Sequence, residues 1–439
     1  MTGAAGDAPR GPAWRLPRDV AFWVLATILG LLLFAASAPS PLYAVYQGRW
    51  HFSTSTLTSV FAVYALALLV TLILAGSLSD HVGRRPVLLL GLALEVAGMA
   101  LFGLAQGVAW LFGARVLQGV ATGLATGTIS AMLIDLQPSG RPARGALLSS
   151  VAPTVGLAVG ALGSGLLVQY GPAPTHLVYW LLVTSFVFGF AAVLAMPEPV
   201  VRDAGWWRSL RPHVEVPSQV RVAFVALAPC IIAMWALSGL YLSLGPSLTS
   251  SLLHTRNHVT GALVIVGLTG PAALAAVVGR DWRPERAMIG GSITLVAGVG
   301  MTLVALRTES TALFLGGTVL AGLGFGPAFS GGFRSLTARA PASRRAGLIA
   351  AIYVVSYLAF SLPAIAAGVA VTHFGLRTTA LVYGVAVVVL AAVAVVTYAL
   401  EVSRAARGAA VAREADVPPC PCPGTVAVHH KVHADRSAE

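Results

Sequence analysis

Continuous apolar stretches of about 20 residues, recurring about twelve times, set the first limit on what this chain can become. A run such as WVLATILGLLLFAAS, residues 23–37, is apolar on nearly every face, so as a helix it has no side to turn to water. The runs fall at 21–47, 55–78, 86–106, 109–134, 145–169, 176–196, 222–252, 258–279, 287–306, 311–332, 346–371 and 379–400. Each is long enough for a helix to cross the hydrocarbon core, and none alternates with period two as the strands of a membrane barrel do. The composition agrees: 57% of residues are hydrophobic and 10% charged, against about 25% charged in soluble domains. The fold class is therefore an all-α membrane protein with twelve transmembrane helices.

Charge gives the orientation. The first 20 residues, MTGAAGDAPRGPAWRLPRDV, are polar and basic, and the run after them is too long for a signal-peptide core, so the first helix is expected to stay as an anchor. Threading twelve crossings through the sequence puts every Lys and Arg on one side except Arg49, Arg256, Arg307 and Arg377, which lie opposite, and Arg115, which lies inside a run. The positive-inside rule then places both termini in the cytoplasm of a cell with this protein in its cytoplasmic membrane. The net charge of +12 is spread over the loops on that side rather than gathered into one stripe, so it answers the bilayer and implies no nucleic-acid partner. Three cysteines, Cys230, Cys420 and Cys422, imply no disulfide framework.

The longest polar interruption, EPVVRDAGWWRSLRPHVEVPSQVR at 198–221, falls at the midpoint of the runs. Sliding one half over the other by about 203 residues brings VLQGVATG (116–123) onto VLAGLGFG (319–326) and Gly76 onto Gly279. The expected organisation is a cytoplasmic segment at 1–20, a six-helix bundle at 21–197, a linker at 198–221, a second six-helix bundle at 222–401 and a disordered cytoplasmic tail at 402–439. Repeats of this kind mark transporters whose substrate site lies between the halves near the bilayer midplane.

Between the second and third runs stands GSLSDHVGRRP, residues 76–86. Its Gly76, Leu78, Asp80, Gly83, Arg84 and Arg85 match the loop signature Gly-x-Leu-x-Asp-x-x-Gly-Arg-Arg/Lys, and the chain resembles the major facilitator superfamily on these residues and on their place after helix 2. The membrane's charge rule explains the arginines and a tight turn explains Gly83, but neither explains an acid. The resemblance implies that Asp80 lies against the start of helix 11, here near Gly347, where free N–H groups favour a carboxylate. It also implies that Arg84 bridges to an acid at the end of helix 4, which Asp135 in MLIDLQP supplies. The implied latch of Asp80, Arg84 and Asp135 clamps the halves on the cytoplasmic side and breaks when the protein opens inward. GRDWRPER at 279–286 is a shortened counterpart with a smaller share in gating.

A second signature of the resemblance, Leu-x-x-x-Arg-x-x-Gln-Gly, is met by Leu111, Arg115, Gln118 and Gly119. An arginine inside a span is costly and usually faces a cavity or an acid, although one about six residues from the helix start can also snorkel outward. Glu95 is the one acid near the middle of a run. By depth, Arg115 and Glu95 differ by ~7 Å on neighbouring helices, within reach of two long side chains. A conformation that changes their separation changes how firmly Glu95 holds a proton, so the two are candidates for proton coupling; the alternative is a tether between helices 3 and 4. In the fifth run Gly156, Gly160 and Gly165 fit part of the resemblance's antiporter motif, with Ala161 and Ser164 departing from it, and a small-residue packing face explains the same glycines.

In the resemblance, helices 1, 4, 7 and 10 line a cavity and 2, 5, 8 and 11 flank the interface between halves. Those helices offer Tyr43, Tyr46, Tyr64, Gln118, Trp235, Tyr241, Tyr353 and Tyr357 as candidate substrate contacts, although each ring serves as well in packing. An aromatic cavity poor in charge suits a hydrophobic or amphipathic molecule. Pro39, Pro41, Pro246, Pro327 and Pro363 are expected to interrupt helices 1, 7, 10 and 11. The tail's Cys420, Cys422, His429, His430 and His433 are read as part of a disordered segment and not as a metal site. No triad, metal cluster or phosphate loop appears, so neither an enzyme nor a cofactor is expected. The expectation is a monomeric secondary transporter whose partners are a small-molecule substrate, protons and lipid, working as a proton-driven exporter; the alternative is a symporter or facilitator for a nutrient or metabolite such as a sugar or organic acid.

Overall fold

The computed structural model describes residues 16–138, 144–198, 214–253 and 257–415. Twelve of its helical segments are long and apolar enough to cross a membrane. The first span is α1 (Arg18–Ser37) continued by α2 (Pro39–Trp50), and the second is α3 (Thr54–Ala75). A single turn of helix, α4 (Leu78–Val82), leads into α5 (Arg84–Gly103), α6 (Val108–Asp135), α7 (Arg144–Tyr170) and α8 (Leu177–Leu194). The second set is α9 (Arg221–Leu253), α10 (His258–Val278), α11 (Pro284–Thr308), α12 (Thr311–Arg339), α13 (Arg345–Phe374) and α14 (Leu376–Ala415).

The spans alternate in direction, so one face gathers Arg18, Arg84, Arg85, Arg221, Arg339 and Arg344 and is called the basic face below. Ion pairs of Arg339 with Glu401 (2.9 Å) and Arg344 with Glu215 (3.1 Å) lie there, and Arg377 with Glu309 (2.8 Å) lies opposite. On that opposite face three returning helices start on capped amides. Ser53 accepts from Thr56 N–H, Asn257 from Val259 N–H and Ser310 from Leu313 N–H, which satisfies donors that the helix cannot.

Two apolar cores form, and the way they divide describes the state of the molecule. One holds the buried residues of α1 to α8, together with Leu240, Leu242 and Leu244 of α9, Ile265 of α10, and Phe360 and Ala367 of α13. The other holds Val220 to Leu237 of α9 with Leu348 and Ile352 of α13 and the buried faces of α10, α11, α12 and α14. The halves thus share a core toward the opposite face and have separate cores toward the basic face. Gly368 makes the shared part tight: a Cβ there would overlap Thr58 Oγ1 across the α3–α13 contact. Gly165 on α7 also packs tightly, a Cβ there standing 2.8 Å from Ala262 Cβ on α10, and His258 N–H donates to Gln169 Oε1 at 3.0 Å. The protein is closed on the opposite face.

Two expectations are corrected. Pro246, Pro327 and Pro363 do not interrupt their helices: α9, α12 and α13 run through them. Only the first span breaks, at Ala38, ahead of Pro39 and Pro41. Two prolines within one turn remove two rungs, whereas a single proline removes one that neighbouring helices can tolerate. The carbonyls at the break find side-chain donors, Ala36 O from Arg115 at 3.0 Å and Ala38 O from Ser164 at 2.5 Å. The tail boundary also moves, since α14 continues past residue 401 to Ala415. Alanine-rich EVSRAARGAAVAREA is a strong helix former once a span has nucleated it. Cys420, Cys422 and the tail histidines lie outside the described residues.

Candidate functional site

The latch sequence folds as a bend between α4 and α5. Gly83 takes φ +107°, a region closed to other L-residues at low cost. The bend turns Arg84 back on Asp80 (3.6 Å) and onto Asp135 at the end of α6 (3.0 Å). Arg84 is 13% exposed and Asp80 57%, so the Asp135 pair is the tighter of the two. Both pairs are intact in a structure whose halves are apart on this face, contrary to the expectation that opening breaks the whole latch. All three residues belong to the first half, on α4, α5 and α6, so their pairing does not itself join the two halves. The expected contact of Asp80 with the start of α13 is not formed: among the described residues no hydrogen bond or ion pair joins them. The Gly347 carbonyl accepts instead from Glu215 N–H at 3.2 Å, and Glu215 pairs with Arg344.

Glu198, just past α8, was missed in the sequence. Its carboxylate accepts from the N–H groups of Arg84 (3.0 Å) and Arg85 (2.9 Å), capping the N-terminus of α5 with charge where the helix dipole favours it. Arg85 donates to the Leu194 carbonyl. A Cβ at residue 83 would stand 3.0 Å from Glu198 Oε2, a tight approach that the end of the glutamate can yield to, so the positive φ is what selects glycine. The readable signal was an acid directly after the last turn of the sixth run, beside a loop of two arginines.

Deeper in the membrane Arg115 is completely buried, as are Glu95 and Gln118. Arg115 donates to Tyr43 Oη (2.7 Å), Ala36 O (3.0 Å) and Gln118 Oε1 (2.6 Å). Four rings, of Tyr43, Phe61, Tyr64 and Phe102, stand 5.2 to 5.9 Å from the guanidinium, within cation–π range. Arg115 therefore does not snorkel. It does not pair directly with Glu95 either: Gln118 Nε2 donates to Glu95 Oε1 at 3.3 Å, so the amide joins the two. Gln118 lies three residues beyond Arg115, ~4.5 Å nearer the basic face, which makes up the difference in depth. Glu95 Oε2 and Arg115 Nη2 are left without hydrogen bonds among the described residues.

Of the candidate substrate contacts, Tyr43, Tyr64 and Gln118 thus serve Arg115. Tyr46 stacks on Trp50 at 4.8 Å and reaches Thr175 O, near the opposite face. Tyr241 hydrogen-bonds Thr318 Oγ1 at 3.2 Å inside the second core. Trp235, Tyr353 and Tyr357 remain together. Trp235 packs on Tyr357 (5.1 Å), Phe329 (5.9 Å) and Phe360 (6.0 Å), and Phe360 meets Phe61 at 5.0 Å. This cluster lies at the parting line, between α9 residues of the second core and the Leu240–Leu244 stretch of the shared one. The glycines of α7 pack: a Cβ at Gly156 or Gly160 would overlap the Gly30 or Phe34 carbonyl of α1. A groove of about 280 Å³ between α1 and α7, lined by residues such as Ala26, Gly30, Phe34, Val155 and Val159, offers only Thr27 as a polar group, and that hydroxyl is already donated to Trp23 O.

The family model described as Major Facilitator Superfamily matches residues 25–308. The chain belongs to the major facilitator superfamily. Among its superfamily relatives, Multidrug resistance protein MdtL of Escherichia coli O127:H6 is 24% identical over 312 residues, 67% of this chain and 74% of that protein. Sugar transport protein 3 of Arabidopsis thaliana is 34% identical over 106 residues, 24% of this chain and 20% of that one. Other curated relatives are matched over only 38%, 29% and 36% of their own lengths. A solved structure of a bacterial homologue of the human lysosomal transporter Spinster, inward-facing and unoccupied, superposes with TM-score 0.68 at 14% identity, covering 89% of this chain and 98% of that one. That likeness is one of fold.

Proposed function

We propose that this chain is a secondary transporter that exports a small hydrophobic or amphipathic molecule across the cytoplasmic membrane by alternating access, coupled to protons. The basic face and both termini lie in the cytoplasm, following the distribution of arginine. The observation that carries the reading is the buried series Arg115, Gln118 and Glu95, sealed in the first core and connected through Phe61 and Phe360 to the parting line of the halves. Charged groups are kept inside a membrane for ion pathways, relays and substrate counter-charges. Here Arg115 also holds the broken first span through Ala36 O, so movement of that span changes the surroundings of Glu95. Glu95 exchanges the proton, Arg115 and Gln118 set its environment, and the aromatic parting line meets the substrate. Export is supported by the multidrug-resistance relative matched over the longer stretch.

The test is flux in vesicles of purified protein with an imposed pH gradient. Dye movement that follows the gradient, collapses with an uncoupler and becomes gradient-independent in Glu95→Gln is the expected result. Equal flux with and without the gradient in the unmodified protein would overturn the coupling. The sugar-transport relative favours a second reading, symport or facilitated entry of a nutrient or metabolite, which the same vesicles distinguish by net uptake.

A further inference from the structure

The parting line carries polar groups that neither the gate nor the buried charge network uses. Trp235 Nε1 is buried and has no hydrogen-bond partner among the described residues. No hydrogen bond among the described residues engages the Tyr353 or Tyr357 hydroxyl, and both residues are only half-buried. Tyr353 and Tyr357 lie one turn apart on α13, 6.2 Å between ring centres, and Tyr357 rests against Trp235. Three groups able to donate thus stand on a wall of rings, at the level where the two cores separate. A buried indole N–H left unpaired is costly, so the site gains by receiving an acceptor from outside.

The charge around this wall has one sign. On the α3 side Phe61 lies between Phe360 and Arg115, so the guanidinium is two ring contacts from the Trp235 pocket. On α12, beyond Phe329 and Phe333, comes Arg334, which donates to the Arg280 and Gly279 carbonyls. α9 and α13 bring no carboxylate to the cluster. Glu95 accepts from Gln118, lies on α5 outside the ring cluster and is wholly buried. Aromatic faces attract cations, but the faces of Phe61 and Tyr64 already hold Arg115. A second cation would enter the same field with no carboxylate to balance it, and its desolvation would go unanswered.

We propose that Trp235, Tyr353 and Tyr357 form a binding site for flat aromatic molecules that carry carbonyl or phenolate acceptors and are neutral or anionic, not cationic. The proposal deepens the transporter reading and rests on it. The rings supply a stacking surface, the indole N–H and the two hydroxyls fix the acceptors, and Arg115 sets the charge preference from behind Phe61.

Binding is measured on the full chain in nanodiscs with two planar probes, anthraquinone-2-sulfonate and ethidium. The expected result is affinity for the anionic quinone at least about tenfold above that for ethidium. Trp235→Phe and Tyr357→Phe, which keep the rings and remove one donor each, weaken quinone binding about fivefold. Trp282→Phe, at an exposed ring on the basic face, leaves it unchanged. Ethidium binding as well as or better than the quinone overturns the charge preference, and wild-type affinity in both donor variants overturns the site. A fold-intact check by size-exclusion chromatography accompanies each variant. Vesicle flux of both probes separates this proposal from the one beneath it. Gradient-driven ethidium flux without quinone binding sinks the substrate class and leaves a transporter. Quinone binding that depends on Trp235 and Tyr357, with flux of neither probe, leaves the site and sinks the transporter.

Discussion

Replacing Gln118 with leucine tests whether the amide is the joint of the buried network. The side chain has no exposure to solvent, so water cannot take over its bonds. Leucine removes the 2.6 Å acceptor from Arg115 and the 3.3 Å donor from Glu95. A hydrogen bond to a charged group contributes about 1.5–3 kcal/mol, and the apolar replacement recovers roughly 1 kcal/mol of burial, so the net loss is about 2–5 kcal/mol. Arg115 keeps Tyr43, Ala36 O and its four rings, whereas Glu95 loses the one partner it has among the described residues. The larger share of the loss therefore falls on the carboxylate. Unfolding in mixed micelles reads the total, and a double-mutant cycle with Glu95→Leu isolates the joint. The double variant is expected to be more stable than the sum of the single losses predicts, by at least about 1 kcal/mol, because removing Glu95 removes the group left unpaired. Additivity within about 0.5 kcal/mol, or a Gln118→Leu protein as stable as the parent, refutes the reasoning.

Three further substitutions probe the two faces. Gly368→Ala forces α13 from Thr58, with an overpacking cost of about 1–3 kcal/mol; thiol probes at the opposite face should label faster, and an unchanged rate would count against a seal at that contact. Asp80→Asn removes the charge expected to meet α13 in the other state; because Asp80 is largely exposed, the shift toward the form open at the basic face is about two- to fivefold, read by labelling Tyr353→Cys with Cys420 and Cys422 replaced by serine. Glu198→Gln keeps one acceptor at the start of α5 and loses the charge, lowering stability by about 1–2 kcal/mol; an unaltered melting temperature would show the cap to be idle.

The spans were legible because hydrocarbon imposes a length and a composition on any helix that crosses it, and the Arg84–Asp135 pair because Arg84 begins α5 and Asp135 ends the helix that returns beside it. Glu198 was legible only as an acid placed after the sixth run, and its role was not, since its partners are backbone amides more than 100 residues earlier and amides leave no mark in a sequence. Gln118 reads as a substrate contact because a polar residue in a span is ambiguous until its neighbours are fixed; its spacing of three from Arg115 and the depth of Glu95 are visible in the sequence, but not the side of α6 that faces Glu95. The prolines misled for a related reason, as the cost of each depends on what neighbouring helices do with the freed carbonyl. The state of the molecule, closed on one face and open on the other, is a property of packing between halves and has no local signature.

The two faces are held by different forces. At the opposite face the halves meet through close packing and uncharged hydrogen bonds such as His258 N–H to Gln169, and among the described residues no ion pair lies in the contact between α3 and α13. At the basic face the charged groups Asp80, Arg344 and Glu215 are all in reach of water. Dissolved salt screens the second set and leaves the first almost untouched. Ionic strength therefore acts mainly on the basic face, on the Arg344–Glu215 and Arg84–Asp80 pairs formed in this conformation. A protein with gates built this way reads the ionic composition of its surroundings mainly on one side of the membrane.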